Sequence, residues 1–251
     1  MLVGKLALVT GCARGRSNGR AIALSLAKAG ANVAVADILI DQSEQVAKEI
    51  RDLGRSAVAV KMDIGNYDEV QIGFQRVVHE LGSIDILVNN AAITTNFGTI
   101  KKMDPSAWDK EISVNLSGAF YCIKQVFQSM ADKKWGRIIS ISSIAGIMGG
   151  HGQCSYSASK AGLIGLMKTV ALEGARYGIT ANTVTLGAIG TDAFHNLPDD
   201  ARKNIISRIA LKKEGDPEDV GSIVTYLSSD GAKYITGANI LVTGGADLIV
   251  F

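Results

Sequence analysis

Two side chains that could move a proton stand four residues apart in the segment YSASK, at Tyr156 and Lys160. Residues 155–177 are rich in Ala, Leu and Met, which favours a helix with both side chains on one face. A free phenol has a pKa of about 10, and an ammonium group about 4–6 Å away contributes roughly 3–4 kcal/mol toward lowering it. The pair indicates a tyrosine acid/base activated by lysine, although an isolated Y-x-x-x-K is more typical of a solvated helix face.

Further polar residues lie in or directly after apolar runs that are predicted to be strands. Ser143 follows the run RIISIS thirteen residues before the tyrosine, with Ser142 as the neighbouring candidate. Ligands bind at this end of strands in open α/β sheets, and side-chain alternation lets only one of the two serines face the site. Asn90, next to Asn89, and Asn115 also lie in apolar sequence. Buried amides need partners, so strand bracing is the simpler interpretation for these asparagines.

A glycine-rich turn precedes the first predicted helix, with Gly11, Gly15 and Gly19 after the first apolar run. Backbone amides of such a turn can bind a pyrophosphate at the helix N-terminus. Asp37 ends the second run, 18 residues after Gly19, where its carboxylate can accept hydrogen bonds from both ribose hydroxyls of an adenosine. Asp63, after the third run, either contacts adenine or caps the next helix. The sequence therefore predicts a dinucleotide site.

The elements that would position these residues alternate along the chain. The predicted strands are 6–10, 32–37, 57–61, 84–89, 137–142, 180–185 and 238–242, and the first three helices are 20–29, 42–53 and 68–81. This pattern predicts a single doubly wound α/β domain over residues 1–251, with a seven-stranded parallel sheet and helices on both faces. Residues 190–213 do not fit this alternation of strands and helices, because they combine a polar cluster with an amphipathic stretch. They are predicted to be an inserted lid.

Composition narrows the class of protein further. The 251 residues are 47% hydrophobic and carry 26 basic against 24 acidic side chains, a net charge of +2. Such a small charge argues against binding to nucleic acid or a membrane surface. The cysteines, Cys12, Cys122 and Cys154, form no C-x-x-C pair, and no secretory leader or long apolar span is recognisable. We therefore expect a soluble cytoplasmic protein with reduced cysteines.

Taken together, these motifs resemble the short-chain dehydrogenase/reductase family, whose fold is of the Rossmann type. The resemblance covers residues 5–245. The motifs that carry it are the glycine loop 10–19, Asp63, NNAA at 89–92, Asn115, Ser143, the pair Tyr156 and Lys160, the turn 187–191 and ITGANILVTGG at 235–245.

The resemblance implies a role for each matching residue. Tyr156 would donate or accept the proton, Ser143 would hydrogen-bond the substrate oxygen, and Lys160 would lower the tyrosine pKa and hold the nicotinamide ribose. Asn115 would anchor a water leading to the lysine, and Thr191 would hold the carboxamide. The implied cofactor residues are Gly11, Arg14, Gly15, Ser17, Asn18, Gly19, Asp37, Asp63, Ile64, Asn90, Ala91, Tyr156, Lys160, Ile189 and Thr191.

The glycine loop departs from the family pattern, because it is two residues longer than the usual G-x-x-x-G-x-G. This leaves open which amides contact a pyrophosphate and where Arg14, Arg16 and Ser17 point. In the family an acid such as Asp37 marks NAD, whereas a basic residue such as Arg14 often marks NADP. We expect NAD, with NADP as the alternative, because a carboxylate repels a 2′-phosphate.

The expected function is an NAD-dependent oxidoreductase that interconverts a secondary alcohol and a ketone, with hydride moving to or from the nicotinamide. Its substrate would be a small cyclic alcohol, a polyol or a 3-hydroxyacyl compound, in a pocket formed by Ser143, His151, Gln153 and Tyr156. One alternative is an NADP-dependent 3-oxoacyl thioester reductase, and another is a non-catalytic dinucleotide-sensing protein. A sugar-nucleotide epimerase would need a substrate domain for which this chain leaves little room.

The expected partners are a small-molecule substrate and further copies of the chain. The family resemblance implies a homotetramer, with the predicted helices 108–130 and 155–177 and the C-terminal LIVF as candidate contact surfaces. The histidines, His79, His151 and His195, show no ligand spacing among themselves or with the cysteines. No metal is therefore expected.

Overall fold

The computed structural model describes residues 1–12, 15–94 and 96–248. Its strands are Leu6–Thr10 (β1), Asn32–Asp37 (β2), Ala57–Lys61 (β3), Ile86–Asn89 (β4), Gly136–Ser143 (β5), Ile179–Leu186 (β6) and Asn239–Val242 (β7). Its α-helices are Asn18–Lys28 (α1), Ile40–Asp52 (α2), Tyr67–Leu81 (α3), Pro105–Ile112 (α4), Gly118–Lys133 (α5), Ala145–Met148 (α6), Cys154–Gly174 (α7), Asp192–His195 (α8), Asp199–Ser207 (α9) and Pro217–Leu227 (α10).

The strands form one seven-stranded sheet in the order β3-β2-β1-β4-β5-β6-β7, and every pair is parallel. The chain builds outward from β1 to β3 and then returns to place β4 on the other side of β1. The connections after β1 and β4 therefore diverge, which opens a crevice at the carboxyl ends of these strands. The predicted doubly wound sheet is confirmed.

Helices cover both faces of the sheet, and each face has its own hydrophobic core. One core joins α1, α2 and α10 to side chains such as Val9, and the other joins α3, α5 and α7 to side chains such as Leu8. Consecutive strand residues thus point into opposite cores. This two-sided burial explains why the strand sequences are continuously apolar.

Local capping sets several helix ends near the crevice. The side chain of Asn66 accepts the amides of Asp68 and Glu69 at the start of α3, and Gly82 ends that helix with φ of 95°. The Asp63 carboxylate instead accepts the amide of Gly65 at 2.8 Å. The helix cap considered for Asp63 is therefore supplied by Asn66.

The stretch predicted as one helix over 108–130 is interrupted. A π-helical segment, Ser113–Ser117, joins α4 to α5 and contains Asn115. Such π-helical turns are frequent at functional sites. Within the described residues, no helix combines the length and apolar character needed to cross a bilayer.

Residues 190–213 add no strand to the sheet. They contain α8 and α9 and leave the sheet just after β6. The base of this excursion is closed by backbone hydrogen bonds, from the Gly190 amide to the Gly215 carbonyl at 2.8 Å and from the Gly215 amide to the Ala188 carbonyl at 3.0 Å.

Candidate active site

A cavity of about 820 Å³ opens at the carboxyl ends of the central strands, a volume suited to a cofactor with its substrate. Fourteen of the predicted cofactor residues line it. They are Gly11, Gly15, Ser17, Asn18, Gly19, Asp37, Asp63, Ile64, Asn90, Ala91, Tyr156, Lys160, Ile189 and Thr191. Arg14, the remaining one, lies outside the described residues.

The glycine turn is packed tightly against the end of β4. A Cβ on Gly19 would lie 2.1 Å from the carbonyl oxygen of Gly11, so this position requires glycine. The Asn90 side-chain amide donates to the carbonyls of Thr10 at 2.9 Å and Gly11 at 3.0 Å. The Thr10 hydroxyl accepts the amides of Asn90 and Ala91, both at 3.1 Å. These bonds fix the turn at the N-terminus of α1, where a pyrophosphate would bind.

The lengthened part of the loop contacts both the helix N-terminus and the 190–213 excursion. Ser17 caps α1 by accepting the amide of Arg20 at 3.3 Å. The backbone amide of Arg16 donates to the Asp192 carboxylate, and the Asp192 amide donates back to the Arg16 carbonyl, both at 2.9 Å. The Arg16 guanidinium pairs with Asp216 at 2.5 Å. The extension therefore joins the phosphate-binding turn to the start of the 190–213 excursion.

Acidic side chains mark the other end of the cavity. Asp37 lies at the end of β2, and its carboxylate accepts the amide of Leu39 at 3.1 Å. Asp63 contacts Lys110 at 3.1 Å. Both aspartates line the cavity beside the carboxyl edge of the sheet, where an adenosine would lie in a doubly wound fold.

The two serines at the end of β5 take different roles. The Ser142 hydroxyl is buried and donates to the backbone carbonyl of Lys160 at 2.8 Å. Ser143 is hydrogen-bonded to the phenol of Tyr156. The structure thus directs Ser143 to the phenol and uses Ser142 to hold α7 against the sheet.

Lys160 is 3% exposed. Its ammonium donates to the Ile141 carbonyl at 2.8 Å and lies 5.6 Å from the ring centroid of Tyr156. Burial lowers the pKa of Lys160 to about 8, although the charge of Glu111 acts in the opposite direction. The side chain is therefore within electrostatic reach of the phenol, but its hydrogen bond goes to the backbone.

The effect of Lys160 on the pKa of Tyr156 stays a prediction, whereas three other influences on that pKa are defined by the structure. Burial raises the pKa of Tyr156 above 10, the hydrogen bond from Ser143 lowers it, and the charge of Glu111 raises it again. Burial is the largest of these effects, because desolvation penalises the charged phenolate. The phenol is accordingly held in its protonated form at neutral pH.

Asn115 braces the backbone after β4. Its side chain accepts the amide of Ile93 at 2.8 Å, donates to the Ile93 carbonyl at 2.9 Å and reaches Ser159 at 3.4 Å. It is not among the described residues that line the cavity. The bracing interpretation therefore accounts for its amide group, and its catalytic role stays a prediction.

His151 and Gln153 do not contribute to the cavity lining among the described residues. His151 is exposed, and Gln153 stands immediately before α7, with its backbone amide donating to Gly150. Their role in a substrate pocket stays a prediction.

Sequence reasoning missed several residues that the fold brings to this site. Asp192, Phe194 and Asn196 line the cavity from the excursion, whose position beside the site was expected but whose contacts were not. Glu111 was also missed, although a charged residue four positions before Asn115 shares a helix face with it. That spacing was the available signal.

Comparisons with known proteins extend over nearly the whole chain. A family model described as Enoyl-(Acyl carrier protein) reductase matches residues 11–247. A 3-oxoacyl-[acyl-carrier-protein] reductase of Staphylococcus epidermidis is 44% identical over 244 residues, covering 97% of this chain and 99% of that protein. The Salmonella typhimurium protein of the same name is 40% identical over 247 residues, 98% of each chain. A crystal structure described as a short-chain alcohol dehydrogenase from Sinorhizobium meliloti has a TM-score of 0.93 and 34% identity, covering 99% of this chain and 98% of that one.

Proposed function

Because this chain belongs to the short-chain dehydrogenase/reductase family, an NAD(P)-dependent class acting on CH–OH groups, we propose that it interconverts 3-oxoacyl and 3-hydroxyacyl thioesters. The observation that carries the proposal is the placement of Ser143, Tyr156 and Lys160 on the same cavity as the glycine turn. A bound nicotinamide dinucleotide would supply or accept the hydride there.

The chain's own residues would handle the oxygen and the proton. The hydroxyls of Ser143 and Tyr156 would hydrogen-bond the carbonyl oxygen of the substrate. The phenol would give its proton to that oxygen as negative charge develops on it. Lys160, one helical turn away, would stabilise the phenolate that results.

The residues fit the cofactor that this reaction needs. Gly11 and Gly19 allow the backbone to pack closely at the N-terminus of α1, and the buried side-chain oxygen of Asn18 has no protein partner within the described ranges. Asp37 supports NAD as the cofactor, because a carboxylate at the end of β2 would repel a 2′-phosphate.

Relatives guide the choice of substrate. Both reductases reported above are named for 3-oxoacyl-[acyl-carrier-protein] substrates, which favours the thioester over a small cyclic alcohol or polyol. The Sinorhizobium structure is described as an alcohol dehydrogenase, so a small secondary alcohol is the second candidate.

A substrate panel tests the proposal directly. The chain is assayed with an acetoacetyl thioester, cyclic alcohols and polyols, each with NADH or NADPH or their oxidised forms as appropriate. We expect the thioester with NADH to give the highest kcat/KM. A clear preference for a cyclic alcohol or polyol would refute the substrate class, and a preference for NADPH would refute the choice of NAD.

The catalytic assignment has a matched control. Tyr156→Phe should lower kcat by about a hundredfold or more, as expected when a general acid is removed, while Tyr226→Phe at an exposed position on α10 should leave it unchanged. Full activity of Tyr156→Phe with normal NADH binding would favour the alternative of a dinucleotide-sensing protein.

The role of Asp37 can be tested through cofactor preference. Asp37→Ser should raise the ratio of kcat/KM for NADPH over NADH by at least about tenfold, because like charges in contact cost several kcal/mol. Asp41→Ser, on the exposed side of α2, is the control. An unchanged ratio would remove the basis for NAD.

Two further proposals concern assembly and access. Phe120 on α5 and Leu172 on α7 are exposed at 47% and 81%, which supports burial of these helices in a homotetramer. In the C-terminal segment Leu248 is 63% exposed, and residues 249–251 lie outside the described residues. Sedimentation at micromolar concentration should give four chain masses, and a monomer would contradict this.

The 190–213 segment is proposed to close over bound ligands. This predicts that NADH protects the segment from proteolysis.

A further inference from the structure

Glu111 is a carboxylate fully enclosed in the protein behind the cavity. Its exposed fraction is 0%. One carboxylate oxygen, Oε2, accepts the Ser155 hydroxyl at 2.5 Å. The other, Oε1, is buried and has no hydrogen-bond partner among the described residues. A buried carboxylate with one unsatisfied oxygen is costly for the fold, so its presence requires an explanation beyond packing.

The contacts of Glu111 link it to the residue that precedes Tyr156. Its helix, α4, packs against α7 and the π-helical segment. Ser155, which donates to its carboxylate, immediately precedes Tyr156 in the first turn of α7. Glu111 does not act as a cap for α7, because its Oε1 accepts no amide from that first turn in the described structure.

The carboxylate acts on both members of the tyrosine–lysine pair. Its charge raises the pKa of Tyr156 and the pKa of Lys160. The other titratable side chains on the two helices are Asp109 and Lys110 on α4 and Cys154, Lys168 and Glu173 on α7, and the π-helical segment has none. Lys110 turns toward Asp63.

Charge balance favours the protonated phenol in this arrangement. A carboxylate, an ammonium and a neutral phenol sum to zero, whereas a phenolate would leave a net negative charge in a buried site. Reduction of a ketone needs the protonated phenol at the start. The carbonyl carbon gains a hydride from the reduced dinucleotide, and the oxygen takes the phenol proton, so the Tyr156 O–H bond breaks as the alcohol O–H bond forms. Oxidation of the alcohol needs the phenolate first.

We propose that Glu111 is a positioning residue that keeps Tyr156 in the protonated form from which carbonyl reduction starts, by placing a negative charge at the first turn of α7 and by holding that turn through Ser155. The inference rests on the proposed function, because it concerns the proton donor of the same reaction.

The test is the pH dependence of both directions in Glu111→Gln. The amide keeps an oxygen that can accept the Ser155 hydroxyl but removes the charge. We expect the pH profiles of kcat/KM for thioester reduction and hydroxyacyl oxidation to move by about one pH unit toward acid, equivalent to a roughly tenfold gain in oxidation on its acidic limb. Unmoved profiles would overturn the proposal and leave Glu111 a structural residue.

Asp109→Asn is the matched control, because it removes a carboxylate of the same charge from the exposed side of α4. Its profiles should stay at the wild-type pH. If Asp109→Asn moved the profiles as far as Glu111→Gln, the buried position of Glu111 would not be the cause and the proposal would fail.

A second measurement follows the phenol itself. Phenolate absorbance is titrated in the wild type and in Glu111→Gln, or in Glu111→Leu if the amide variant does not fold, and subtraction of the titration of Tyr156→Phe isolates Tyr156. Because burial alone raises the midpoint in both proteins, a lower midpoint in the Glu111 variant supports the proposal. Equal midpoints, or a wild-type midpoint at or below that of free tyrosine, overturn it. A wild type that reduces no 3-oxoacyl thioester but oxidises another secondary alcohol would refute only the proposed substrate, and the same profiles are then measured on that alcohol.

Discussion

Replacing Lys160 by methionine should change the stability of the protein in a pH-dependent way. The pKa of this lysine falls from 10.5 to about 8 on folding, because the ammonium is buried. At about 1.4 kcal/mol per pKa unit, the charged group lowers the free energy of unfolding at neutral pH by about 3 kcal/mol. Methionine removes this cost, and it also removes the hydrogen bond to Ile141, worth about 1 kcal/mol. The variant should therefore be more stable at neutral pH by about 2 kcal/mol.

The advantage disappears in alkaline solution. Between about pH 8 and 10.5 the unfolded chain binds more protons at this lysine than the folded chain, so wild-type stability rises with pH through that window. Above it, Lys160→Met should be the less stable protein. Urea unfolding of both proteins across the window measures the difference, with Lys168→Met, an exposed lysine on the same helix, as control. A difference that stays constant with pH would refute the reasoning.

Three other substitutions have defined consequences. Gly19→Ala places a Cβ 2.1 Å from the Gly11 carbonyl, so it should cost about 1–3 kcal/mol by urea unfolding and weaken ADP-ribose binding in calorimetry. Asp85→Ala removes the buried partner of Lys133 at 2.7 Å and should cost about 3 kcal/mol; a loss below about 1 kcal/mol would show that water replaces it. Arg16→Met breaks an exposed ion pair, and a change above about 1 kcal/mol in unfolding would contradict its assignment as a surface contact.

The order and type of the helices and strands follow from local sequence. The details that the sequence did not predict depend on contacts between distant residues. The first three predicted strands match β1, β2 and β3 in full, because each is centred on a buried apolar run. The fourth strand begins two residues later than predicted. Just before it, the backbone amide of Leu6 donates to the side-chain carboxylate of Asp85 at 3.0 Å rather than to a backbone carbonyl. Hydrophobic periodicity cannot reveal that a side chain within an apolar run accepts a backbone hydrogen bond.

The candidate site likewise has a part that local sequence predicts and a part that depends on distant contacts. The glycine turn and the tyrosine–lysine spacing are local and lead to the right cavity. The direction of Arg16 is not local, because its partners Asp192 and Asp216 lie 176 and 200 residues away. The influences on the pKa of Tyr156 are not local either, since its burial and the nearby carboxylate of Glu111 are products of tertiary packing.

The closed base of the excursion after β6 has an evolutionary consequence. Because Gly190 and Ala188 pair with Gly215, the chain departs and returns at one point, and the intervening residues can be exchanged without altering the register of the sheet. Transplanting residues 190–213 between homologues should alter the shape of the cavity, because Asp192, Phe194 and Asn196 line it, while Ser143, Tyr156 and Lys160 keep their places on β5 and α7. One part of the cavity wall can thus change in evolution independently of the part that would transfer the proton.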